Sequence, residues 1–191
     1  MSRIIRPGKG FGLVELLLLM AILGILALIA VPQFMRSTRM AKAAEVAEML
    51  DLIKKGSAAY YTTPHTGSAG FKLACQFPCC ASPTPVGAVT CCQDALDADN
   101  DERCDANPGA WKHTTWVALK FAMTDQHYYR YQYESSGTTN SASYTASAFG
   151  DLDCDTTQST FKLYGIPDPK ATMDSCADPT TKGIFRDHET E

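Results

Sequence analysis

Between Phe11 and Val31 the chain runs through 21 residues in which Glu15 is the only ionisable side chain. Rising ~1.5 Å per residue, a helix over this stretch is about 31 Å long, close to the thickness of a bilayer's hydrocarbon core. Soluble helices are seldom apolar on every side over that length. The ten residues before it, MSRIIRPGKG, carry Arg3, Arg6 and Lys9 and no acid. The positive-inside bias then assigns this end to the cytoplasm and the rest of the chain to the far side of the membrane.

Charge and cysteine usage agree with that orientation. The chain has 17 basic and 21 acidic residues, net −4, and the portion beyond the basic leader is more acidic still. With no run of Lys or Arg in that portion, nucleic acid is not an expected partner. All eight cysteines, Cys75, Cys79, Cys80, Cys91, Cys92, Cys104, Cys154 and Cys176, follow the apolar run. In an extracytoplasmic, oxidising compartment they form disulfides rather than the zinc cluster that a Cys-rich tract also suggests. The residues after the run suffice for one compact domain.

An ordinary secretory signal has a shorter apolar region followed by a small-residue cleavage site. Here the run ends ALIAVPQF, and the better boundary lies ahead of it, at GKG followed by FGLVE. A basic leader ending in Lys9 and Gly10, then Phe11, an acid at the fifth position of the apolar run, and Gly24 and Pro32 further along resembles the class III signal of type IV pilins and type II secretion pseudopilins. GKGFG also imitates a phosphate-binding loop, but such loops need a preceding strand in a soluble βαβ unit. The resemblance covers about 35 residues. It implies removal of residues 1–10 by a prepilin peptidase that cuts between Gly10 and Phe11 and N-methylates Phe11. Gly12 stands where the family most often has threonine.

Glu15 has two readings. It is an acid solvated by head groups, at less than the ~2.5–3.5 kcal/mol that a central charge costs, or it is half of an ion pair. The resemblance implies the second: the carboxylate meets the α-ammonium of Phe11 on a neighbouring subunit when helices pack side by side, shielded from water. Gly24 and Pro32 weaken the helix between them, and the family implies a local loss of helicity on assembly.

From Pro32 the sequence is rich in helix formers, and one helix is expected from Phe11 to about Tyr61, bent at Pro32. Over 33–62 the pattern is amphipathic, with Met40, Ala44, Ala47, Leu50, Ile53 and Tyr60 on an apolar side that should meet a sheet. Arg39, Lys42, Glu45, Glu48, Asp51 and Lys55 form the polar side. Residues 63–110 are a Cys-rich loop region with vicinal pairs at Cys79–Cys80 and Cys91–Cys92. Adjacent cysteines seldom bond to each other, so each is expected to reach elsewhere, among about a hundred possible pairings. In 111–191, HYYRYQYES, SASYTASAF, STFKLYGI and GIFRDHE read as strands of a three- or four-stranded antiparallel sheet. WVALKFAM fits a helical turn or a strand, and Trp111 and Trp116 are core candidates. The expected fold is α+β, pilin-like, with disulfide-rich loops. The family often closes a C-terminal loop with a disulfide, which implies Cys154–Cys176, adding ~3 kcal/mol.

Two stretches alternate aspartates, Asp97, Asp99, Asp101 and Asp151, Asp153, Asp155, as calcium loops do. Both depart from the EF-hand pattern, with Glu102 and Thr156 at the glycine position and Pro108 and Lys162 at the bidentate glutamate position. The alternatives are a solvated acidic loop and a non-EF calcium site, the latter implied by calcium binding in some pilins and pseudopilins, with Asp151, Asp153 and Asp155 the better candidates. No other cofactor is expected. His65, His113, His127 and His188 are scattered, and no hydrolase or metalloprotease motif occurs, so no enzyme activity is expected.

The expected function is that of a structural subunit of a type IV pilus, a major or a minor pilin, serving adhesion, motility, DNA uptake or secretion. Its partners would be membrane lipid before assembly, the prepilin peptidase, an inner-membrane assembly platform and homologous subunits in a helical filament. Its location would be the bacterial inner membrane, single-pass with the N-terminus cytoplasmic and the head periplasmic, and then an extracellular pilus or a periplasmic pseudopilus. The alternatives are a type II secretion pseudopilin and, from another class, an uncleaved membrane-anchored periplasmic binding module.

Overall fold

The computed structural model describes residues 11–67, 70–166, 169–172, 176, 179–181 and 183–187. The leader with Gly10, and His188, lie outside them. Helix α1 spans Leu13–Thr62 and is continuous through Gly24 and Pro32. The chain divides into two units, one ending at Thr38 and one beginning at Arg39. In the first, every described residue is exposed, including Leu17, Leu23 and Leu28. This stretch is long and apolar enough to cross a membrane.

In the second unit the rest of α1 packs on an antiparallel sheet. The strands are β1 (Ala81–Thr84), β2 (Tyr129–Ser136), β3 (Ser143–Gly150), β4 (Ser159–Ile166), β5 (Thr180–Thr181) and β6 (Phe185–Asp187), and a short helix α2 (Thr114–Leu119) precedes β2. The sheet order is β1-β2-β3-β4-β5, with β6 also on β4. This is the expected α+β architecture with more strands than expected. β1 lies in the Cys-rich region, where ASPT carries no strand signal and is held by pairing to β2. WVALKFAM resolves as a helical turn, and Trp111 and Trp116 are core residues.

Strand alternation explains the tyrosines. Tyr129, Tyr131 and Tyr133 share one face of β2 and are fully buried. Opposite them on β3 stand Gly150, Ala148 and Ala146, and opposite those on β4 stand Ser159, Phe161 and Leu163. Each large ring is thus flanked by a small residue. Gly165 shows how tight the fit is, because a Cβ there would overlap the Tyr144 ring.

The helix face differs from the expected one. The buried stripe is Ala43, Val46, Leu50, Ile53, Ser57 and Tyr61, whereas Met40 is half exposed and Ala44 and Ala47 are exposed. The stripe admits polar groups that tyrosines satisfy. Ser57 Oγ is 3.0 Å from Tyr133 Oη, and Tyr131 Oη donates to Glu45 Oε1 at 3.0 Å. Hydrophobic periodicity is blind to such partners, so Glu45 reads as outward. Gly56 makes room for the end of α2, since a Cβ would overlap the Leu119 carbonyl there.

Candidate functional site

At the start of the apolar helix, Glu15 Oε2 accepts the Gly12 N–H at 2.8 Å, and Gly12 O accepts from Leu16 N at 3.2 Å. Glu15 therefore satisfies one of the N-terminal N–H groups that a helix leaves without an internal partner, and places negative charge at the positive end of the helix dipole. Its other oxygen, Oε1, points to no partner among the described residues. A Cβ at position 12 would meet Glu15 Oε2 at an ordinary 3.6 Å, so glycine is not required there for want of space at Cβ.

The two acidic loops follow the same course. Asp97 accepts from the N–H groups of Asp101 and Glu102 at 3.0 and 2.9 Å, and Asp151 accepts from those of Asp155 and Thr156 at 3.2 and 3.0 Å. Both of these aspartates are buried. Positive φ recurs at equivalent places, Asn100 and Glu102 in one loop and Cys154 and Thr156 in the other. An EF-hand uses glycine at the sixth position for its sharp turn. Glu102 and Thr156 adopt the left-handed conformation there without it, at φ 65° and 79°, a strained choice for the β-branched Thr156 above all. In each loop the three carboxylates can bring one oxygen each to within 4.8 Å of one another.

Basic residues of α1 hold these loops. Arg39 Nη2 is 2.6 Å from Asp153 Oδ2, and Lys42 Nζ donates to Glu102 Oε2 at 3.2 Å and to the Leu152 carbonyl at 3.1 Å. Asp153 Oδ1 is buried with no hydrogen-bond partner. Asp155 has its carboxyl held below the usual range, first by the backbone N–H of Thr157.

The disulfides are Cys75–Cys176, Cys79–Cys80, Cys91–Cys104 and Cys92–Cys154. The expected Cys154–Cys176 bond is not formed. Cys154 precedes β4 and Cys176 follows it, four residues ahead of β5, which pairs with the far end of β4 at Gly165 and Ile166. An eight-residue strand spans about 26 Å, beyond the roughly 7 Å between Cα atoms that a disulfide bridges. Adjacent Cys91 and Cys92 do reach elsewhere, one to each acidic loop, so a single dipeptide ties both loops together. Cys79 and Cys80 overturn that expectation by bonding to each other.

The histidines occupy separate places. His65 stacks on Tyr60, His113 Nδ1 accepts the Thr115 N–H in capping α2, and buried His127 donates from Nδ1 to the Asp125 carbonyl at 3.0 Å. That bond leaves His127 Nε2 buried without a partner. Arg130 is a structural cation that sequence patterning does not reveal. It donates to the carbonyls of Pro85, Val89 and Pro83 at 2.8, 2.8 and 3.2 Å, fastening the segment after β1 to β2. Its only sequence signal is a charge on a strand of alternating tyrosines.

No protein-family model, curated protein sequence or solved structure matches the chain. In form, a long apolar N-terminal helix whose second half packs on an antiparallel sheet is pilin-like.

Proposed function

We propose that the chain is a structural subunit of a type IV pilus, anchored in the inner membrane by its apolar helix until removal of residues 1–10 allows it to polymerise through that helix. The observation that carries this reading is the exposed first part of α1, in which every side chain from Leu13 to Val31 is apolar except Glu15. Such a surface requires lipid or other copies of itself around it. With Oε2 of Glu15 engaged by Gly12, Oε1 is the acceptor for the ammonium that cleavage creates on Phe11 of a neighbour. Neutralising each charge within an apolar bundle favours an axial offset between subunits and opposes burial of either group alone. Gly24 and Pro32 are the points at which the helix would give in a packed filament. Type II secretion pseudopilin is the alternative that uses the same residues.

Intact mass of membrane-extracted protein tests the proposal. Loss of residues 1–10 together with the gain of one methyl group is expected. A full-length mass would instead point to an uncleaved, anchored binding module.

A calcium ion would be held by Asp151, Asp153 and Asp155, and the buried, unpartnered Oδ1 of Asp153 favours this second loop over the first. Calcium would supply charge neutralisation that cross-braces the loop. Calorimetry with calcium on the purified protein is expected to show binding that Asp153→Asn weakens, and a flat titration would remove the ion from the account.

A further inference from the structure

Three of the four disulfides cross-link distant chain. Cys75–Cys176, Cys92–Cys154 and Cys91–Cys104 join residues 101, 62 and 13 positions apart, and Cys75, Cys91 and Cys104 are buried. Cys79 and Cys80 are chain neighbours and both are exposed. A bond between adjacent residues closes no loop, so it removes almost no entropy from the unfolded chain. Stability is not a reason for it, and its sulfurs are open to attack.

The surroundings suit a bond that opens and closes. The pair lies just ahead of β1 and alongside Ser135 near the end of β2. The backbone N–H of Ser135 donates to Cys80 Sγ at 3.4 Å, and the Ser135 carbonyl oxygen lies 3.6 Å from Cys80 Sγ and 3.9 Å from Cys79 Sγ. That N–H can stabilise a thiolate on Cys80, and the carbonyl can accept from a thiol S–H. The backbone around the pair is held independently of the S–S bond. Thr115 Oγ1 donates to the Cys79 carbonyl at 2.7 Å, and Ser135 Oγ donates to the Pro78 carbonyl at 2.9 Å.

We infer that Cys79–Cys80 is a thiol–disulfide exchange site at which an external thiolate attacks Cys79 Sγ and Cys80 departs as the thiolate beside the Ser135 N–H. Stabilising the departing thiolate speeds exchange and selects which sulfur is attacked. The reagent sulfur bonds to Cys79, the Sγ–Sγ bond breaks, and its electron pair stays on Cys80, which takes up the proton given up by the attacking thiol. A second thiol, or the second sulfur of a dithiol, then attacks the mixed disulfide and releases Cys79 as a thiol. In net terms the protein gains two electrons and two protons and the dithiol is oxidised to its disulfide.

The test uses the full chain in a non-denaturing detergent, treated with graded dithiothreitol, alkylated with iodoacetamide and mapped by peptide mass. Cys79 and Cys80 are expected to label at a dithiothreitol concentration about tenfold or more below that needed for any of the other six cysteines. With glutathione and simultaneous alkylation, the mixed disulfide is expected on Cys79 and the alkyl group on Cys80. Prior reduction of any other pair, or glutathione trapped mainly on Cys80, overturns the assignment. The double variant Cys79→Ser, Cys80→Ser is expected to lose the low-concentration labelling and keep the other three disulfides. Persistence of that early labelling in the variant would also overturn it.

Discussion

The two parts of α1 are made of similar helix formers and meet their surroundings in opposite ways. Up to Thr38 large apolar side chains are exposed on every side, whereas from Arg39 to Thr62 one stripe is buried against the sheet. Each part carries one acid set against apolar neighbours, and the two acids show what differs. Glu15 accepts from its own helix's Gly12 N–H. Glu45, less than two turns into the second unit, accepts from the Tyr128 N–H and the Tyr131 hydroxyl, and burial raises its pKa. The first part is unfinished as a protein surface and the second is finished within the chain.

The sharpest way to break this comparison is Glu15→Ala. Sheared surface filaments should be lost while thermal unfolding of the head stays unchanged. Undiminished filament yield would overturn the proposed assembly role of Glu15. Next in size, Leu50→Ala empties space between α1 and the sheet and should cost about 2–5 kcal/mol in denaturant unfolding of the detergent-solubilised chain. Leu23→Ala on the exposed part should change it by less than about 0.5 kcal/mol. Equal losses from the two would erase the distinction. Glu45→Ala leaves a fully buried tyrosine hydroxyl and a backbone N–H without their acceptor, and the expected loss is about 1–3 kcal/mol.

The smallest effect is in the pH profile. Burial lowers the pKa of His127 below its ordinary 6.5. The native state then binds fewer protons than the unfolded state over that interval, so stability is complete above about 6.5 and falls as pH drops through it toward the lower native value. Glu45 acts in the other sense. Its contribution is complete below its ordinary 4.5 and declines as pH rises toward its raised native pKa. Melting temperature followed from about pH 7 to about pH 5 should fall less in His127→Gln than in the parent chain, and parallel profiles would show that His127 is not the source.

The apolar run, the strands at Tyr129, Ser143 and Ser159, and the helix through Thr62 were legible because each depends on local period and chain composition. The cysteine pairing was not. Cys154 and Cys176 are near in sequence, yet the eight residues of β4 hold them at opposite ends of the sheet. The sharp turns at Glu102 and Thr156 were equally hidden, since residue preference argues against positive φ there. Backbone N–H groups closing on Asp97 and Asp151, with disulfides to Cys91 and Cys92, impose those turns all the same.

Sequence alone determined that this chain carries a membrane-length helix with one acid near its start, followed by a cysteine-rich α+β domain. Those properties follow from apolar run length, charge placement and short-range periodicity. Only the tertiary structure decided which helix face is buried, which sulfurs meet, and that Glu45, Ser57 and Arg130 belong inside. Each of those outcomes depends on a hydrogen-bonding or bonding partner supplied from a distant part of the chain.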